Sequence, residues 1–222
     1  MVLKAVLFDM DGVIVDTEPL NRKSYFQMFE HFNIPVTEEL YSTFIGKSTD
    51  GVCQQCIDLF GITEFTKQDL VQKKRQIFKS LFDSDPDFDL IPGVRDLIEN
   101  YYKNGLKLVL ASSASRQTIQ WVFDRFELNH MFVDKISGAE LKQSKPHPEI
   151  FEKAALLSGV PKEHCIVIED SSNGIQAASS AGIFCVGYKS KNSINQNYQD
   201  ANIVISDYSE ILYETSHQWF TI

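Results

Sequence analysis

The sequence predicts an α/β protein, a parallel sheet flanked by helices with an all-helical segment inserted after the first strand. Three observations carry this. Residues 4–9 form a short, apolar, Val/Leu/Phe-rich run of strand length, the pattern of a strand buried on both faces. From about 33 to 82 the chain shows only helical patterns, with no strand among them. From residue 93 onward strands and helices alternate, which predicts a parallel sheet with helices on both faces.

Taken in order, strand 4–9 ends in "FDMDG", and residues 18–31 predict a helix whose broad apolar face is Tyr25, Phe26, Met28, Phe29 and Phe32. "TEELYSTFIG", "STDGVCQQCIDLFG" and "TKQDLVQKKRQIFKSLF" predict further helices, with Thr37 and Ser48 as N-caps followed by acidic first turns. The acidic stretch "DSDPDFDLIPG", 83–93, breaks the pattern with Pro86, Pro92 and Gly93 and reads as a linker. Helix 93–103 leads to strand 106–112, helix 115–126 to a strand near 132–137, and helix 148–158 to strand 165–170. Helix 172–180 leads to strand 183–188; a last strand, "NIVIS", and helix 207–214 follow. The tail "ETSHQWFTI" offers only Trp219 and Phe220 as packing residues. The expected organisation is one α/β domain, 1–15 plus 90–222, and one helical domain, 16–89.

The composition narrows the function. With 222 residues the chain is long enough for one good-sized core, or for a core plus a small second domain. A net charge of −9 argues against nucleic-acid binding, which needs clustered Lys and Arg. No apolar run approaches the roughly 20 residues of a membrane helix, and the N-terminus lacks the features of a signal peptide. Cys53 and Cys56 form a lone CxxC inside a helical pattern, without a second pair or histidines at zinc spacing, and read as buried helix cysteines. Cys165 and Cys185 complete the set of four, and a reducing cytoplasm is the expected compartment.

In an open parallel sheet ligands bind beyond the carboxyl ends of the strands. Strand 4–9 delivers Asp9 and Asp11 there, strand 106–112 delivers Ser112 and Ser113, the segment after 137 delivers Lys145, and strand 165–170 delivers Glu169 and Asp170. Clustered carboxylates repel one another, and a hard divalent cation removes that cost. Lys145, the serine pair and the helix that starts near Ser115 are expected to face the other way, toward an anion. Metal on one side and lysine on the other would bracket a phosphoryl group. Asp9 is then placed as a nucleophile and Asp11 as a general acid/base, with Gly12 turning the chain away. An EF-hand is set aside, because glycine stands at position 4 of "DMDG" and a strand precedes it. His147, flanked by prolines, reads as structural.

"FDMDGVIVDTE", "LASSAS", "SKPHPEIF" and "VIEDSSNGIQAASSAGI" resemble, in order, the motifs of the haloacid dehalogenase superfamily, in particular its beta-phosphoglucomutase-like phosphatase group. The resemblance implies a Rossmann-like core with a helical cap that closes over the site. It implies Asp9 as nucleophile, Asp11 as acid/base, Ser112 and Lys145 as phosphate binders, and Mg²⁺ held by Asp9, the Asp11 backbone carbonyl, Asp170 and Glu169. Dehalogenation is disfavoured, because Asp11 is present. The loop "IGKST" matches the group's specificity loop, which makes Gly46, Lys47 and Ser48 candidate specificity residues. Mutases of the group carry an arginine and a histidine where this chain has Thr49 and Asn21, and both departures weaken the mutase reading; Lys47 would replace the arginine only in part. Lys73, Lys74 and Arg75 read either as added positive charge or as a solvated helix face.

The expected function is therefore a Mg²⁺-dependent phosphatase of a small phosphomonoester, a sugar phosphate, working as a monomer. A sugar phosphate mutase is the alternative. A non-catalytic phosphate-binding protein would be expected to have lost Asp9 or Asp11, and both are present.

Overall fold

A computed structural model of the chain describes residues 2–44, 47–189 and 195–220. It divides into two compact units, Met1–Asp16 with Asp89–Ile222, and Thr17–Phe88.

The first unit is built on a six-stranded parallel sheet, β1 (Ala5–Phe8), β2 (Lys107–Ser112), β3 (Phe132–Ser137), β4 (Cys165–Glu169), β5 (Phe184–Tyr188) and β6 (Ile203–Ile205), in the order β3-β2-β1-β4-β5-β6. Strand β1 is central, with Ala5 opposite both Lys107 and Cys165. All four of its residues are buried, which is why it reads as a continuous apolar run and not as an alternating one. Ala5 and Leu7 pack on the face that carries α7 (Glu149–Ser158) and α8 (Ser172–Ala181), together with Phe151, Ala154, Ile175 and Ala178. Phe8 lies on the other face, with Tyr101 of α5 (Val94–Lys103) and Phe132 at ring separations of 6.4 and 5.6 Å. The edge strand β3 carries a register shift against β2 and the exposed charged residue Asp134.

The second unit is helical among its described residues: α1 (Glu18–His31), α2 (Glu38–Ser42), α3 (Thr49–Phe60) and α4 (Lys67–Ser84). Thr37 and Ser48 cap α2 and α3 through their hydroxyls, and Thr66 with Asp69 forms a capping box on α4. The core joins Tyr25, Met28 and Phe29 of α1 to Val52, Cys53 and Cys56 of α3 and Leu70 and Val71 of α4. Both cysteines are buried free thiols whose pKa is pushed up, foremost by burial, to about 12 for Cys53 and about 11 for Cys56.

The end of the chain departs from the expected helix 207–214. A 3-10 turn, Tyr208–Ile211, gives way to the short helix α9 (Tyr213–Ser216) and a second 3-10 turn, His217–Phe220. Leu212, between the first turn and α9, has φ −55° and ψ 158°, outside the helical region. The groups that would continue the helix are claimed by α5: Tyr101 Oη donates to the Ile211 carbonyl at 2.5 Å, and Asn100 Oδ1 accepts from Tyr213 N at 2.8 Å. Trp219 stacks on Phe184 at 5.4 Å.

Candidate active site

The ladder between β1 and β4 runs one residue past β1: Asp9 N donates to the Ile168 carbonyl at 3.0 Å, which fixes the Asp9 backbone. The chain then closes a tight turn in which the Met10 carbonyl accepts from Val13, Ile14 and Val15 N at 3.3, 2.8 and 3.0 Å, and Gly12 N donates to the Val15 carbonyl at 2.7 Å. Gly12 has φ +86°, and a Cβ there would lie 2.1 Å from Asp170 Oδ2. Only glycine supplies that backbone conformation and leaves the space Asp170 needs. A Gly12→Ala variant is expected to displace Asp170 and to lose about 1–3 kcal/mol of stability to backbone strain, read by thermal unfolding.

Lys145, four residues before α7, reaches into the same place. Its ammonium donates to Asp9 Oδ1 at 2.5 Å, Glu169 Oε1 at 2.8 Å and the Ala111 carbonyl at 3.1 Å. A lysine ammonium has three hydrogens, and these three acceptors take all of them. Lys145 therefore does not turn away from the carboxylates toward an anion, as the sequence suggests. It lies among them, because a buried ammonium is stable only beside counter-charge. The other Glu169 oxygen, Oε2, accepts from Ser171 N and Oγ at 2.7 and 2.9 Å. Gly174, in the first turn of α8, gives Glu169 its room: a Cβ there would lie 1.6 Å from Oε1.

Burial pushes the Asp9 carboxyl up; Lys145 pulls against it, and Glu169 and Asp11 add to it. Burial raises Asp170 too, with Glu169, Asp9 and Asp11 adding and Lys145 opposing. Burial works against the charge on Lys145, but Asp9 and Glu169 outweigh it and hold the ammonium above the usual lysine range. The site thus gathers more carboxyl groups than Lys145 by itself offsets.

The sequence groups Glu169 with the metal ligands. In the structure both of its oxygens are already hydrogen-bonded, one to Lys145 and one to Ser171. Among the described residues no three His, Cys, Asp or Glu side chains are arranged to hold a metal ion. Ser112 is buried at the end of β2 and its hydroxyl accepts from Ala114 N at 3.1 Å, whereas Ser113 is exposed. Ser115 caps α6 (Arg116–Arg125), and Ser137 Oγ donates to the Ala114 carbonyl at 2.7 Å, tying the loop after β2 to the end of β3.

In the helical unit Lys47 is exposed and donates to Gln55 Oε1 at 2.9 Å, and the Ser48 hydroxyl accepts from Gly51 N. Gly46 lies outside the described residues. Lys74 is not on a solvated face: it is buried, donates to Asn21 Oδ1 at 2.6 Å, and lies 4.8 and 4.7 Å from the rings of Tyr25 and Phe78. Arg75 beside it is exposed and lies 3.7 Å from Asp50. Sequence reasoning missed Tyr208, which touches the turn after Asp9 from the far end of the chain, and no local pattern would have singled it out.

The family model described as Haloacid dehalogenase-like hydrolase matches residues 6–188, from β1 to the end of β5. The chain belongs to the haloacid dehalogenase-like hydrolase family. It is 32% identical over 184 residues to the phosphorylated carbohydrates phosphatase of Thermotoga maritima, with 82% of each chain covered. It is 29% identical over 220 residues to the beta-phosphoglucomutase of Bacillus subtilis, covering 97% of this chain and 95% of that one. The crystal structure of beta-phosphoglucomutase from Clostridium difficile superimposes with a TM-score of 0.80 at 27% identity, over 99% of this chain and all of that one. As a hydrolase of this family the chain has the Rossmann-type α/β fold its sequence predicts. Among the described residues no helix is long and apolar enough to cross a membrane.

Proposed function

We propose that this hydrolase is a Mg²⁺-dependent phosphatase that cleaves a small sugar phosphate through an aspartyl phosphate on Asp9. The observation that carries the reading is the buried lysine bridge, Lys145 held 2.5 Å from Asp9 and 2.8 Å from Glu169, with Asp11 and Asp170 close enough to act on Asp9 or on each other electrostatically. The bridge fixes one Asp9 oxygen and leaves the other for attack. The relative named as a phosphatase of phosphorylated carbohydrates supports the substrate class.

The Asp9 oxygen forms a bond to phosphorus as the bond to the leaving oxygen breaks. Asp11, protonated, gives its proton to that oxygen. Water then attacks the phosphorus of the aspartyl phosphate and loses a proton to the Asp11 carboxylate. The bond to Asp9 breaks, and inorganic phosphate and the Asp9 carboxylate are released. Lys145 favours the Asp9 carboxylate before attack and holds its Oδ1 in place.

The donors fit Mg²⁺, being oxygens only, with the buried Asp9 and the half-buried Asp170, whose charged forms desolvation disfavours. Asp9, Asp170 and the Asp11 main-chain carbonyl would hold the ion, with Glu169 holding Lys145 in place of the metal. When bound, the ion supplies positive charge against the phosphoryl oxygens. Saturating Mg²⁺, at about a hundred times its Kd, is expected to add about 2.7 kcal/mol of stability. Asp170→Asn should abolish that gain in a thermal shift assay.

A mutase is the second reading, favoured by the match to a beta-phosphoglucomutase over nearly the whole chain. One assay separates them: phosphate release from a panel of phosphomonoesters that includes beta-glucose 1-phosphate, which is also followed for conversion to glucose 6-phosphate. Free phosphate from one or a few sugar phosphates supports the phosphatase. Isomerisation without free phosphate overturns it in favour of the mutase.

A further inference from the structure

The turn that carries Asp11 is held from behind by two groups distant in sequence. Ile91 N donates to the Ile14 carbonyl at 2.9 Å. Tyr208 Oη donates to the Val13 carbonyl at 2.6 Å, across 195 residues and in a fully buried setting. The turn's own hydrogen bonds converge on the Met10 and Val15 carbonyls, so the Val13 carbonyl finds its partner in Tyr208. The Tyr208 ring is itself fixed: it stacks on Tyr188, at the carboxyl end of β5, with centroids 4.3 Å apart and planes 15° off parallel. Its Cβ and Cδ2 lie 3.6 and 3.8 Å from where a Cβ on Gly93 would stand. Burial, then Tyr188, Asp170 and Asp9, hold its hydroxyl far above the usual tyrosine range, so it remains a donor at every working pH. Tyr208 lies beyond residues 6–188, the span that matches the family model.

We infer that Tyr208 is a positioning residue for Asp11, setting through the Val13 carbonyl where the Asp11 carboxyl stands relative to the leaving oxygen. This rests on the phosphatase reading above. Tyr208 touches no substrate; its effect passes through the backbone of the turn.

The consequence is selective. A sugar leaves as an alkoxide and needs the proton that Asp11 gives; p-nitrophenol leaves as a phenoxide and hardly needs it. Tyr208→Phe keeps the ring stack and deletes the hydroxyl. It is expected to lower kcat on the sugar phosphate on the order of tenfold, in line with the cost of misplacing a catalytic group. On p-nitrophenyl phosphate the loss should stay within about twofold, since little of that barrier depends on acid catalysis. Tyr101→Phe is the control. It deletes another buried tyrosine hydroxyl bond to the C-terminal segment, at Ile211, and should lower Tm without changing the ratio of the two activities.

Equal losses on both esters, or no loss on either, would overturn the inference while leaving the phosphatase intact. Wild-type protein that turns over neither ester would overturn the phosphatase reading and the inference with it. Amide hydrogen exchange at Gly12–Val15, faster in Tyr208→Phe and unchanged in Tyr101→Phe, is a second readout that does not use turnover.

Discussion

Asp9→Asn is expected to abolish phosphate release, by at least about a thousandfold, while leaving Tm unchanged or slightly raised. The loss follows from chemistry: an amide oxygen cannot form the aspartyl phosphate. The retained stability follows from the charges around it. Burial already disfavours the Asp9 carboxylate, and Glu169 and Asp11 press in the same direction. Asparagine removes a charge that the site tolerates poorly, and Lys145 keeps Glu169 at 2.8 Å as its counter-ion. A variant inactive because it is unfolded would show the opposite, a Tm that falls with activity. Parallel thermal unfolding and phosphate release on one preparation check both halves.

Lys145→Met should do the reverse and damage stability and activity together. Asp9 and Glu169 are buried, and among the described residues Lys145 is the cation that pairs with both. Removing one partner of a buried ion pair costs about 3–5 kcal/mol, because the other charge is left uncompensated. For a chain of this size that is a drop in Tm of about 10 °C. The sign with pH follows from Lys145 itself. Its pKa is raised in the fold, so the ammonium's contribution is fully present below the ordinary lysine pKa and is lost only as pH climbs from there toward the elevated value. Wild type should therefore hold its advantage throughout neutral pH, as urea titrations of the two proteins at pH 7 and pH 8 would register. Lys145→Arg restores charge but not shape, since a planar fork does not fit three acceptors set around a point ammonium. It should recover part of the Tm and little of the activity.

Much of this was legible in the sequence because the information is local or periodic. Helix Glu18–His31 announces itself through its aromatic face, and α2 and α3 through the hydroxyl caps at Thr37 and Ser48. The gathering of Asp9, Ser112, Lys145 and Glu169 at one edge follows from topology alone, because every strand of a parallel sheet points the same way. What was not legible depends on where a side chain turns once it is there. The sequence places Lys145 at the edge but does not say that burial will fold its ammonium back onto Asp9 and Glu169. It likewise groups Glu169 with Asp170, two adjacent carboxyls, although Gly174 and Ser171 draw Glu169 toward α8. The helix expected over 207–214 fails because Tyr101 and Asn100, about a hundred residues earlier, take its backbone groups. Tyr208 is invisible for the same reason: its meaning lies in a carbonyl at the other end of the chain.

The central place of β1 also governs how the molecule can be made. It is synthesised first, yet its neighbours are β2 and β4, and Ala5 must wait for Lys107 and Cys165. At 5–20 residues per second, its first partner emerges from the ribosome about 5–20 s after it does, and the second later still. During that time "AVLF" is an apolar strand with both edges open, while the helices of Thr17–Phe88, whose contacts are nearer in sequence, are able to form. A stalled or shortened nascent chain would thus present a folded helical unit joined to an unpaired hydrophobic strand, the kind of species that holdase chaperones bind and that aggregates when they are scarce.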